Sequence, residues 1–265
     1  MTDTTTSATG VGPLLRDWRR RRRLSQLDLA LEAGVSARHV SFLETGRSNP
    51  SREMVLHLAE QLEVPLRERN RMLLAAGYAP VYAQRALDEP ELGPIKEALD
   101  QLLESHEPFP AIVVDRGWNL VAANRAIGML TAGAAAHLLE PPVNALRLAL
   151  HPEGKAPRIV NFGEWRAHLL RDLAAQADSS GDDTLIELHD ELKAYPGEDG
   201  EPGAHEVFVP LRIRGPEKTE LRFLSTRTMF ATAVDVTVSE LAIESFFPAD
   251  TATAAAIRAY DDESR

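Results

Sequence analysis

The stretch from Gln26 to Gly46, QLDLALEAGVSARHVSFLETG, constrains this chain more than any other. Apolar Leu29, small Ala30, Gly34 at a corner, then Val35, Val40 and Leu43 recur at the spacing of two short helices folded tightly against each other. Ala30 lets helices cross closely, and Gly34 turns the chain between them. That is the pattern of a helix-turn-helix, whose second helix reads the major groove of DNA. At about 100° per residue, Val40, Leu43 and Glu44 fall on one side of that helix, and Arg38, Ser41, Phe42 and Thr45 on the other. The second set faces a groove: Arg38 can give a bidentate pair to guanine or clamp a phosphate, and Phe42 can meet a thymine methyl or pack on the next loop.

The flanks extend this reading. Pro13 to Arg23 predicts a first helix, with Leu14, Leu15 and Trp18 at helical spacing. It ends in five consecutive arginines, Arg19 to Arg23. Such a run encircles a helix, so Arg20, Arg21 and Arg22 are either a solvated basic end or phosphate contacts beside the reading helix. Ser25 and Ser36 stand where helix caps belong, with Gln26 in the first turn after Ser25. Gly46-Arg47-Ser48-Asn49-Pro50 breaks the chain before a fourth helix from about Ser51, and a fifth from about Pro65 to Ala76 stops at Gly77.

Charge supports a divided molecule. The chain has 265 residues and a net charge of -11, but residues 1 to 80 hold 12 Lys+Arg against 9 Asp+Glu, while the remainder holds 17 against 31. An acidic body repels phosphate and leaves a basic head to dock. Cysteine is absent, which excludes disulfides, thiolate metal sites and cysteine nucleophiles. The start, MTDTTTSATGVG, has neither a basic nor an apolar leader region, and no stretch approaches the ~18 apolar residues that span a bilayer. A cytoplasmic protein without membrane association is expected.

LSQLDLALEAGVSARHVSFLETGRSNPS resembles the XRE, or phage-repressor-like, helix-turn-helix family over residues 13 to 77. The resemblance implies that Gln26 touches phosphate and orients the reading helix, that Arg19 pairs with Glu44, and that base contacts fall to Ala37, Arg38 and Phe42. Ser36, Ser41 and Arg47 complete the expected DNA face, with Arg21 and Arg22 on phosphate.

Residues 1 to 12 read as a disordered start. Residues 78 to 93, YAPVYAQRALDEPELG, read as a packed connector, and a second domain is expected over residues 94 to 262. Ile95 to Leu103 is helical. Ala111 to Asn124 is two apolar runs around Asp115-Arg116-Gly117, a hairpin. Helices follow to about Leu139, over Asn144 to Leu150, over Asn161 to Ala177 with Asn161 and Glu164 as a capping pair, and over Thr184 to Ala194. Strands are expected over His205 to Arg214, with a turn near Gly215-Pro216, over LRFLSTRTMF, and over Ser239 to Phe247. The fold class is a two-domain chain: an all-α five-helix head, then an α+β domain with an antiparallel sheet and helices on one face, an arrangement that commonly encloses a small ligand.

The runs PAIVVDRGWNLVAAN, NALRLALHPEGKAPRIVNFGEW, LHDELKAYPG and PLRIRGPEKTELRFLSTRTMFATAVDVTVSELAIESFFPAD stand in order and resemble the MmyB-like regulators. These are XRE transcription factors with a PAS-like ligand-binding domain. The resemblance implies homodimers on a double-stranded DNA operator and a hydrophobic pocket suited to an acyl chain such as a fatty acid.

Within the second domain, Asn144, Arg147 and His151 are spaced to share a helix face and could hold a carboxylate head group, with Arg147 as the fork; the alternative is a plain surface face, or an arginine bonding the loop after Pro152. Trp165, Phe223, Met229 and Phe230 could wall an acyl tunnel or fill core. His189 among Glu187, Asp190 and Glu191 reads as an acidic helix face, and no metal is expected there. Ser225 shows no sign of a nearby base, and hydrolase, phosphate-loop and zinc-protease motifs are missing. The expected protein is a regulator without a cofactor, with two rivals: a second domain that only dimerises or holds a protein partner, and an acyl-processing enzyme.

Overall fold

The computed structural model describes residues 10–198, 200–201, 207–215 and 219–263. It divides into two compact units, residues 1–84 with 234–236, and residues 85–233 with 237–265. The connector is therefore shared out: Asn70 draws residues up to Tyr82 onto the head by accepting from the Val81 and Tyr82 amides at 3.0 and 3.1 Å.

The first unit is five helices: α1 (Val11–Arg21), α2 (Gln26–Glu32), α3 (Ala37–Glu44), α4 (Arg52–Gln61) and α5 (Leu66–Ala75). Serines start three of them. Ser25 forms a reciprocal capping box with Asp28, and Ser36 and Ser51 accept from the His39 and Met54 amides, each satisfying a backbone donor the helix leaves open. Gly34 takes φ +64° between α2 and α3, and Gly77 takes φ +84° after α5, left-handed values that cost glycine little. The apolar stripes meet in one core that includes Leu15, Trp18, Leu29, Ala30, Val40, Leu43, Leu58 and Leu73. Gly12 is a close approach: a Cβ there would lie 2.6 Å from the Leu43 carbonyl oxygen, so α1 rests directly on the end of α3.

The second unit is built on a five-stranded antiparallel sheet in the order β2-β1-β5-β4-β3, from β1 (Ala111–Val114), β2 (Leu120–Ala123), β3 (Leu211–Arg214), β4 (Glu220–Met229) and β5 (Ala242–Pro248). The hairpin around Gly117 forms as expected, with the Asp115 carboxylate accepting from the Gly117 and Asn119 amides at 2.8 Å each. α6 (Gly93–His106) precedes the sheet. Between β2 and β3 run α7 (Ile127–Thr131), α8 (Ala145–Leu150), α9 (Phe162–Ser180) and α10 (Asp183–Lys193). After β4 come the short α11 (Val236–Ser239), then β5 and a terminal α12 (Thr251–Glu263). This is the α+β, PAS-like arrangement expected from the sequence.

Several details differ from expectation. The sheet is covered on both faces: Ile112, Val114 and Ala242 pack with Leu146, Leu150, Leu173 and Leu188 of α8 to α10, while Ala111, Val113 and Ile243 pack with Leu99 and Leu103 of α6. β1 is buried at every residue, which makes its two faces indistinguishable in a hydropathy pattern. The helix expected up to Leu139 stops at Thr131, because Gly133 takes φ +80° and only a 3-10 turn, Ala136–Leu139, follows. Asn161 begins α9 without capping it. Its amide donates to Glu164 and to the Pro210 carbonyl, and its oxygen accepts from the Arg212 amide at 3.1 Å, so it staples the helix to β3. The expected strand from His205 begins only at Leu211, and its first two residues, like Pro216 of the following turn, lie outside the described residues. α12 has no counterpart in the sequence reading; its Ile257 is fully buried against Phe223 and Phe246. Among the described residues no helix is long and apolar enough to cross a membrane.

Candidate functional site

In the head, the end of α3 is locked before its outer face is considered. Glu44 is buried, and Arg19 grips it with both arms of the fork, Nε to Oε1 at 2.6 Å and Nη2 to Oε2 at 3.0 Å. Gln26 Nε2 adds a third donor to Oε2 at 2.7 Å. Burial pushes the Glu44 carboxyl up, but these hydrogen bonds and the charges of Arg19 and Arg16 outweigh it and hold it below the usual carboxylate range. The starts of α2 and α3's end are thereby braced through one carboxylate.

The outer face of α3, expected to meet DNA, is what remains. Arg38 and Arg47 are exposed and Ser41 and Phe42 are half-buried. The Arg38 guanidinium lies 5.0 Å from the centre of the Phe42 ring and that of Arg47 5.9 Å, so one aromatic face holds two cations together. Ala37 is partly turned into the head core. Ser36 is engaged as a cap. Two expected phosphate contacts are changed by the packing. One amide hydrogen of Gln26 is committed to Glu44, and only the rest of that amide is left for phosphate. Arg22 donates to the Leu62 and Glu63 carbonyls at 2.8 and 2.9 Å, closing the end of α4, and both Arg21 and Arg22 lie against Trp18. Arg22 thereby supplies donors that the carbonyls at a helix end need.

In the second unit a cavity of about 230 Å³ opens between the sheet, α8 and α9. Ile112, Trp118, Leu146, Ala149, Trp165, Leu169 and Phe246 form its apolar wall, and Lys155, His168, Asp172, Arg227 and Glu244 bring charge into it. Arg227 and Glu244 are cross-strand partners on β4 and β5, joined at 3.0 Å, and Arg227 also reaches Asp172 at 2.8 Å while lying 4.4 Å from the Trp118 ring centre. Burial pushes the Glu244 carboxyl above its ordinary range despite Arg227. Burial lowers Lys155 to about 8, with the charge of Glu244 too weak to restore it. No hydrogen bond or ion pair reaches the Lys155 ammonium among the described residues.

Of the four residues expected to wall a tunnel, Trp165 lines this cavity. Phe223 does not: it is wholly buried beneath α12, edge-on to Phe246. Met229 is exposed at the far end of β4, and Phe230 packs on the opposite face of the sheet beside Leu99 and Leu241. The expected carboxylate cradle also changes. Asn144 caps α8, accepting from the Leu146 and Arg147 amides, and donates to the Gly117 carbonyl at 2.7 Å. Arg147 is held by Glu191 through two hydrogen bonds of 2.7 Å, and Tyr195 donates to the same carboxylate at 2.8 Å. His151 lies past the end of α8, which stops at Leu150. The Arg147 fork thus meets a carboxylate of the chain itself, and Asn144, Arg147 and Glu191 line a second, open cavity of about 400 Å³.

The sequence reading passed over Lys155, Arg227 and Glu244. Glu244 carried a signal: a charge inside the run AIESFF, in a strand otherwise fit for burial, marks a buried polar group that needs a reason. His168 was invisible as a neighbour of Ser225, since only the fold brings α9 and β4 to one cavity.

A five-helix head with a helix-turn-helix, followed by a PAS-like domain enclosing a cavity, defines a DNA-binding transcription regulator with a ligand-binding domain. Family comparison agrees with both parts: residues 15–69 match the helix-turn-helix family and residues 95–259 match the MmyB-like transcription regulator ligand binding domain. The chain belongs to the MmyB-like transcription regulators. No curated protein matches it. Among solved structures, an RNA-binding light-oxygen-voltage receptor aligns over 95% of this chain and 63% of its own length, at 14% identity and a TM-score of 0.28. This chain thus spans less than two thirds of that receptor, and so low a score bears no functional weight.

Proposed function

We propose that this regulator binds a palindromic operator as a homodimer inside the cell, and that its cavity takes a small amphipathic acid, fatty-acid-like, whose binding changes operator affinity. The observation that carries the ligand class is Lys155, a buried ammonium without a direct partner among the described residues, at the edge of a wall made by Trp118, Trp165 and Ile112. A buried cation is costly until a negative group meets it. An anionic head on Lys155 with an apolar body against the tryptophans satisfies both halves of the lining. The volume, about 230 Å³, lies under the ~300 Å³ at which drug-sized pockets begin, which favours a short or partly inserted chain. On DNA, Arg38, Phe42 and Arg47 form the reading face.

Mass spectrometry of small molecules released from purified, denatured protein tests the ligand, followed by operator titration with and without the acid found. Release of a carboxylic acid that alters operator affinity is expected. Operator affinity indifferent to every acid that enters the cavity would remove the sensing half.

A second reading, acyl hydrolysis, has one observation in its favour: Ser225 and His168 line the same cavity, and burial lowers the His168 pKa toward a neutral base. Medium-chain acyl esters recovered intact after long incubation would dismiss it; turnover lost in Ser225→Ala would establish it.

A further inference from the structure

The loops on either side of α8 carry a cluster that neither the cavity nor the head uses. His137 stands in the 3-10 turn Ala136–Leu139, and His151 and Glu153 stand just past Leu150. One nitrogen from each imidazole and one oxygen of the Glu153 carboxylate all lie within 4.8 Å of one another. The two imidazoles meet edge to face at 5.6 Å between centres, and the far side of His151 rests on Tyr195 at 5.1 Å.

From this juxtaposition of His137, His151 and Glu153 we infer a binding site for one borderline divalent cation of the zinc type. Two imidazoles and a carboxylate are the donor set that suits such ions, and three protein ligands leave a fourth position open. Tetrahedral coordination with bonds of ~2.1 Å places ligand atoms roughly 3.4 Å apart. From within 4.8 Å the side chains reach that spacing by a rotation open to the exposed His137 and Glu153.

The backbone beneath them is already fixed. The Ala135 amide donates to the Glu153 carbonyl at 2.8 Å, tying the two loops together. The Gly154 amide donates to His151 at 2.9 Å and the Lys155 amide to Leu148 at 2.8 Å. Gly154 sits so close to the Leu148 carbonyl that a side chain there would collide with it. The three ligands therefore project from two loops that the backbone already ties together.

The cation also changes the turn at His151. The Glu153 amide donates to His151 Nδ1 at 3.1 Å, which uses the single lone pair of a neutral imidazole. A cation on Nδ1 displaces this hydrogen bond. A cation on Nε2 requires a proton on Nδ1, which then faces the Glu153 N–H. Either way the bond breaks, two residues before Lys155 enters the cavity. Cation binding at the surface thus shifts the segment that presents Lys155; this second step rests on the ligand reading above, whereas the site itself does not.

Zinc titration of the full chain, by equilibrium dialysis and calorimetry, tests the site. One zinc per chain is expected, with affinity reduced at least tenfold by His137→Ala and by Glu153→Gln, two exposed changes that leave the fold intact, and unchanged by His189→Ala on α10. The Glu153 amide resonance is expected to move on zinc addition. No binding overturns the inference, and so does binding that survives His137→Ala and Glu153→Gln or that depends on His189. Zinc binding that leaves affinity for the cavity's acid unaltered would retain the site and remove its link to the cavity.

Discussion

Glu44 and Lys155 are both buried charges, answered by the fold in opposite ways. Glu44 has Arg19 and Gln26 on its oxygens, so its folded carboxyl sits below the ordinary value. A depressed carboxyl contributes stability above the unfolded pKa of ~4.3 and loses it as pH falls through the lower folded value. Glu44→Ala strands the Arg19 charge, and a loss of about 3 kcal/mol in the head is expected by urea denaturation, with the acid-side slope reduced. No hydrogen bond or ion pair answers Lys155 among the described residues. Its folded pKa of about 8 lies below the ordinary 10.5. Below pH 8 both states are protonated and the full penalty applies; between about 8 and 10.5 the unfolded chain binds more protons, so stability rises with pH. Lys155→Met is expected to stabilise the ligand-free protein by roughly 1 to 3 kcal/mol at neutral pH and to flatten that rise, measured by denaturation at several pH values.

At the scale of elements, the head depends on how closely α1 approaches α3. Gly12→Ala puts a methyl against the Leu43 and Glu44 carbonyls, where backbone cannot move aside, and a loss of about 2 kcal/mol in head stability is expected by thermal denaturation. The arginines then separate by role. Arg38→Ala is expected to weaken specific operator binding by ~1 to 3 kcal/mol and to relax base preference, as removal of a bidentate reader does. Arg22→Ala is expected to lower head stability by about 1 kcal/mol, since two carbonyls at the end of α4 lose their donor, while base preference is retained. Fluorescence anisotropy on operator and scrambled duplex, paired with denaturation, distinguishes the two; equal effects on base preference would reverse the assignment.

For the whole molecule, the function proposed above is a coupling between what the cavity holds and how the head binds DNA. Ligand-dependent operator affinity differing by ~1 to 3 kcal/mol is the expected size of such a coupling, and linkage requires the operator to change ligand affinity by the same factor. Titrating the acid into protein with and without operator checks that reciprocity. The acidic remainder of the chain sharpens the contrast, since only the head carries net positive charge toward phosphate.

The helices of the head are legible in the sequence because their signals are local: Ser25, Ser36 and Ser51 cap within a few residues, Gly34 and Gly77 take φ values few others accept, and apolar stripes recur every turn. The sequence by itself also determined the hairpin at Asp115 and the alternation of fold classes along the chain. The tertiary structure decided what depends on residues far apart. It turned Arg147 toward Glu191, sent Phe223 beneath α12, gave Arg22 to the end of α4, and gathered Lys155, His168, Arg227 and Glu244 around one cavity. Periodicity reports which side of an element is apolar, but a partner 44 residues away, as Glu191 is from Arg147, is chosen only when helices and strands pack and each buried charge meets or lacks its counterpart.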